Sequence, residues 1–269
     1  MKGGTNKLLV PDWKQDVINL VIFPRSGCIV NISPFAVKLE TWLRFNKLPY
    51  RAVSNEFTKL STRGQLPFIE VNGRQFGDSN LIMENLIATY HLSIDRSLNS
   101  RERAEARLLT ILIEESIFRV IAYQRSLDIS WMATEKGVIR HFTGIKKFAF
   151  QKFIIKKLQK NYKNTVHIQG IGRKTVQEVE DMAKQDLSIL SFYLGDKPYF
   201  FGTKPTSVDA TAFGQLVTIT DTPLANPGIK SFMEHSTPNL VEFVHRIKQT
   251  FWPDWESLCS TLALNGPEL

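Results

Sequence analysis

Two prolines constrain the fold of this chain more than any other feature: Pro34, directly after Ser33, and Pro67, within Gln65-Leu66-Pro67-Phe68-Ile69. Proline at the first helical position lacks only an N–H that would have had no partner, and a serine ahead of it can cap the free amides. A helix is therefore predicted to start at Pro34. Phe35, Leu39, Trp42 and Leu43 share one face of it as far as about Lys47. Pro67 puts a proline at the entrance to an apolar strand. The helix start also turns bare N–H groups and a positive dipole end toward any anion or thiolate beside Ser33. The plain alternative for Ser33 is a cap with no further task.

The elements around these prolines alternate. Residues 17–23 are apolar and β-branched, the composition of a buried strand, and residues 49–53 make a second. Phe68-Ile69-Glu70-Val71, Asn72-Gly73 and Arg74-Gln75-Phe76 read as a hairpin, because Asn-Gly is the favoured two-residue turn. Asp78-Ser79 opens another helix carrying Leu81, Ile82, Leu86 and Tyr90. After about Asp95 the pattern turns helical: a long stretch from 101 to about 123, a basic tract, and a helix from Thr175, whose Glu178 completes a capping box and which Gly195 stops. Thr206 and Asp209 begin another by the same logic. Gly170-Ile171-Gly172-Arg173-Lys174-Thr175 is not a phosphate loop, since Arg173 stands where glycine must precede the lysine. The predicted division is an N-terminal arm over 1–16, an α/β unit over 17–95 and a helical unit over 96–269.

Composition narrows the chemistry. The two cysteines, Cys28 and Cys259, lie far apart and build no framework of bridges, which favours a reducing compartment. The five histidines share no ligand spacing with each other or with the cysteines, so no zinc site is expected. No apolar run is long enough for a secretory leader or a conventional spanning helix. Net charge is +8 and uneven: 136–163 holds nine Lys or Arg and no acidic residue, with Phe142, Phe148, Phe150, Phe153 and Tyr162 interleaved. A solvated helix explains such a tract, with lysine stems over apolar neighbours. A membrane-surface or partner helix is the alternative. Sequence-specific nucleic-acid binding is not expected, since no reading motif accompanies the charge.

The α/β half with its proline before the third strand, followed by a helical half, resembles the glutathione transferase fold: a thioredoxin-like domain plus a helical domain. The segments Phe23-Pro24-Arg25, Ile32-Ser33-Pro34-Phe35 through Arg44, Gly64 to Glu70, Gln169 to Arg173, Leu194 to Pro198 and Phe201-Gly202 to Asp209 sharpen the match. With Pro238-Asn239-Leu240 and Trp252-Pro253-Asp254-Trp255, they are similar to the failed axon connections family, which includes nematode cadmium-responsive proteins and is related to the metaxins. The resemblance covers nearly all of the chain after Asp12.

It implies a set of site residues. Ser33 would face the sulfur of glutathione as the catalytic hydroxyl, and Cys28, in the loop before it, is the competing thiol-site residue. Pro67 would be a cis-proline whose neighbour Leu66 offers its backbone to the cysteinyl part. Asp78 and Ser79 would receive the γ-glutamyl end, with Lys59 and Arg63 as candidates for the glycyl carboxylate. Capping, turn shaping and surface charge are the structural alternatives for these residues. Two function classes follow from the resemblance. One is a glutathione transferase that joins the thiol to an electrophilic apolar substrate, in detoxification or stress response. The other is a non-catalytic, metaxin-like adaptor at a membrane surface. The expected setting is the cytoplasm, with peripheral membrane attachment and a homodimer left open.

Overall fold

The apolar run near the N-terminus becomes β1 (Ile18–Ile22), buried at every position and central in a four-stranded sheet. A computed structural model describes residues 8–266. β2 (Tyr50–Ser54) lies parallel to β1 on one side, and β3 (Phe68–Val71) lies antiparallel on the other. β4 (Arg74–Gly77) returns from β3 to form the far edge, giving the order β2-β1-β3-β4. The hairpin turn is the one Asn-Gly predicts: Asn72 and Gly73 have φ of 49° and 73°, so both turn residues occupy the left-handed region that a mirror-type turn requires. Between β1 and β2 runs α1 (Pro34–Phe45), and α2 (Ser79–Tyr90) follows β4. Leu39, Trp42 and Leu43 of α1 and Ile82, Met83 and Leu86 of α2 close one core with Leu20 and Ile69 of the sheet. This is the thioredoxin-like arrangement.

The helical half begins with α3 (Ser100–Ile111), runs through a π-helical turn (Leu112–Ile117), and continues as α4 (Phe118–Leu127). The sequence predicted one uninterrupted helix here; the structure starts it at a capping box between Asn99 and Glu102 and widens it by the π turn. α5 (Gly144–Ala149), a second π turn (Phe150–Ile154) and α6 (Ile155–Ile168) carry the basic tract. Then come α7 (Val176–Leu194), α8 (Ser207–Asp221), α9 (Pro227–Ser236), α10 (Pro238–Phe251) and α11 (Trp255–Thr261). α8 is the hub, with twelve of its fifteen residues buried. Its Asp209 is wholly buried and accepts hydrogen bonds from the amides of Phe200 and Thr206 and from the Thr206 hydroxyl, at 2.7–2.9 Å.

Three features join the halves. α8 packs against α1, and a Cβ on Gly214 would stand 2.4 Å from the Pro34 carbonyl oxygen, so only glycine allows this approach. Arg25 makes a two-pronged ion pair with Glu40 at 2.7 Å, both side chains excluded from solvent. Around it, Arg44 grips Asp254, and Tyr50 donates to Glu40. Finally, the segment after α11 returns to the sheet. Arg25 donates to the Leu264 carbonyl, while the Asn265 side chain accepts from the Ala52 amide and donates to the Ala52 carbonyl on β2.

Candidate functional site

A cleft of about 310 Å³ opens where the sheet meets the helical half, a volume at the small end of ligand sites. Phe35 from α1, Gln65, Leu66 and Pro67 before β3, Asp78, Ser79 and Asn80 at the start of α2, and Glu114 and Glu115 from the π turn line it. Four of the seven residues that the sequence singled out for a ligand therefore meet here: Leu66, Pro67, Asp78 and Ser79. The Leu66–Pro67 bond is cis. Two other hollows of about 300 Å³, one beside Lys248 and Trp255 and one between Met83 and Arg107, contain none of the seven.

At the far end of the cleft, Asp78 has a φ of 77° and caps α2, one oxygen accepting from the Asn80 and Leu81 amides at 3.0 and 3.3 Å. Its second oxygen accepts from neither amide. Ser79 is buried, and its hydroxyl lies 3.4 Å from the ammonium of Lys38. Lys38 sits on the inner face of α1 with no solvent exposure and donates to Asn80 and to Glu114, each at 2.6 Å. Burial lowers its pKa, against the opposing pull of Glu114. Glu114 also accepts from the Asn80 side-chain amide at 2.6 Å. The cleft thus holds a helix N-terminus and three carboxylates, with a buried ammonium behind Ser79, Asn80 and Glu114, a setting that can receive a zwitterion.

Sequence reasoning missed Lys38 and Glu114. Lys38 left a signal, since it stands three residues after Phe35 and four before Trp42, inside the stripe that otherwise turns inward. Glu114 left none, because its partner lies 76 residues earlier and a π turn sets its direction.

Ser33 occupies the cap position with extended backbone, but its hydroxyl makes no bond to the helix amides, contrary to the expected cap. Its own amide donates to Asn31, and its carbonyl accepts from Ala36 and Val37. Ser33 does not line the cleft, which its helix reaches through Phe35. Lys59 and Arg63 do not line it either. Lys59 pairs with Glu56 at 3.0 Å, and the stem of Arg63 rests near Gly77. Cys28 is in a different environment. Burial, with Asp221 adding to it, pushes the Cys28 thiol up to about 11, the reverse of what an activated thiolate needs.

Comparison with known proteins gives the family and the fold. Sequence models of the glutathione S-transferase N-terminal and C-terminal domains match residues 34–131 and 183–247. Failed axon connections of Drosophila melanogaster is 33% identical over 95% of this chain. The chain belongs to the failed axon connections family of glutathione transferase-like proteins. It spans 63% of the length of that Drosophila relative. An isoprene-epoxide–glutathione S-transferase of Rhodococcus is 27% identical, with 83% of this chain and 94% of that protein covered. Metaxin-2 of mouse is 25% identical, with 82% of each covered. Among solved structures, a β-etherase of Sphingobium has a TM-score of 0.59 at 17% identity, covering 86% of this chain and 94% of its own. A glutathione S-transferase of Ceriporiopsis subvermispora, solved in complex with glutathione, has a TM-score of 0.58 at 17% identity, covering 87% and 97%. These structures share the fold. Among the described residues, no helix is long and apolar enough to cross a membrane.

Proposed function

We propose that this chain binds glutathione in the cleft and uses its thiol as a transferase does. The observation that supports this best is the meeting of Leu66 and Pro67 with Asp78 and Ser79 around one cavity, with the buried Lys38 ammonium behind Ser79. In this reading residues 17–95 form the glutathione-binding half and 96–269 hold the second substrate. The α2 start, Ser79 and Lys38 take the γ-glutamyl carboxylate, and the unspent oxygen of Asp78 takes the ammonium. The Leu66 backbone holds the cysteinyl part, and Arg63 and Lys59 are the candidates for the glycyl carboxylate, Lys59 being paired with Glu56. Ser33 donates its hydroxyl to the thiolate. The sulfur then attacks an electrophilic carbon of an apolar substrate. A C–S bond forms as the bond to the departing group breaks, and the departing group keeps the electron pair. The expected setting is the cytoplasm.

Calorimetric titration of glutathione tests the site. Replacing Asp78 and Ser79 together by alanine removes contacts to charged groups worth about 1.5–3 kcal/mol each at best, so affinity falls at least tenfold while the fold persists. Unchanged affinity in the double variant rejects the site. A second reading, a binding protein without turnover, is favoured by the free-standing Ser33 hydroxyl. Tight glutathione binding with no conjugation of chlorodinitrobenzene would select it.

A further inference from the structure

α5, the π turn behind it and α6 form one ridge of helix whose outer side is left uncovered among the described residues. Phe150 and Ile155 anchor the ridge on the core around Trp131, Met132 and Ile139. On the opposite side, Ile145, Phe148 and Phe153 stand 83%, 54% and 66% exposed. The π turn gathers them: residues five apart fall in line where the helix widens, and the Phe148 and Phe153 rings meet edge-on at 6.4 Å. Around this apolar group lie seven lysines, between Lys146 and Lys163, none in an ion pair among the described residues. The ridge has no arginine and no acidic residue from 144 to 163.

We propose that this ridge docks on an anionic lipid surface, with Ile145, Phe148 and Phe153 entering the boundary between headgroups and acyl chains. Charge and shape commit the partner. Large exposed apolar side chains inside a cationic border are the composition of a helix that lies in a membrane interface. Lysine is a point charge without the fork that arginine uses on a fixed carboxylate or phosphate, so an all-lysine border suits a fluid field of charge. A nucleic acid would engage the lysines but leave the three apolar side chains facing water. This surface is independent of the glutathione cleft.

Sedimentation of the full chain with phosphatidylcholine vesicles carrying about 30 mol% phosphatidylserine tests it, against vesicles of phosphatidylcholine alone. Binding to the anionic vesicles only, reduced at least tenfold in about 0.5 M NaCl, is expected. Lys152→Glu with Lys156→Glu should abolish binding, and Phe148→Ser with Phe153→Ser should weaken it tenfold or more. All four side chains are exposed, so thermal unfolding and glutathione affinity should stay as in the parent. Equal binding to both vesicle types, no binding to either, or binding indifferent to the phenylalanine pair overturns the proposal. Retention on heparin without vesicle binding does the same and marks the ridge as a polyanion site.

Discussion

Ser33 and Cys28 separate at the level of single groups. Bound glutathione with its thiolate accepting from Ser33 should lose that support in Ser33→Ala: the thiol pKa read by its ultraviolet absorbance rises, each unit corresponding to about 1.4 kcal/mol, and conjugation slows. Cys28→Ser should change neither, because the Cys28 thiol is held protonated near neutrality. Loss of turnover only in Cys28→Ser, with a mixed disulfide in the parent, would move the chemistry to the cysteine. Asp209 makes a pH-dependent prediction. Burial raises its carboxyl to about 6, above its unfolded value, so the native state holds the proton more tightly. Its contribution to stability is full below about pH 4 and is lost as pH rises through about 6. Calorimetric melting of Asp209→Asn between these limits should show a smaller fall in Tm with rising pH than the parent; parallel profiles would refute the assignment. Leu66, Pro67, Asp78 and Ser79, which the family resemblance singled out, line one cleft, and the proline and the helix start that mark them are local features of the chain. The Lys38–Glu114 pair joins elements remote in sequence, where no local pattern speaks.

Among the elements, the sheet and its two helices follow the sequence closely: the Asn-Gly turn fixes the hairpin, period and Pro34 fix α1, and period and the Asp78 cap fix α2. The helix predicted over 101–123 was misread in one respect, since apolar periodicity survives a π turn with only a phase shift. That shift carries Glu114 and Glu115 into the cleft, which is why two of the site's three carboxylates went unseen. The capping box at Asn99 was legible by the same rule that found Thr175 and was passed over. Contact between α1 and α8 was not legible, because Gly214 inside a helix looks like a mere propensity cost of about 1 kcal/mol. In the structure it is a contact surface. Gly214→Val should push α8 from the Pro34 carbonyl, lowering Tm by several degrees and weakening glutathione through the displaced start of α1. A variant with unaltered melting and affinity would show that α1 does not transmit the strain.

For the molecule as a whole, the segment after α11 is a structural part of the sheet it reaches. Asn265 completes the outer edge of β2 by satisfying both backbone groups of Ala52, and Leu264 accepts from the buried Arg25. A chain ended at Ala263 uncovers an unpaired strand edge and leaves Arg25 short of an acceptor, so its Tm should fall, with the thioredoxin-like half losing hydrogen-exchange protection first. Uniform loss of protection, or none, would assign the tail no such role. The clasp also has a consequence for biosynthesis. Ala52 leaves the ribosome 213 residues before the side chain that pairs with it. The first half must therefore wait, edge open, while the residues between them are made, and it is sealed only once Asn265 has emerged. During that interval the exposed margin of β2 is where a chaperone would have most to protect.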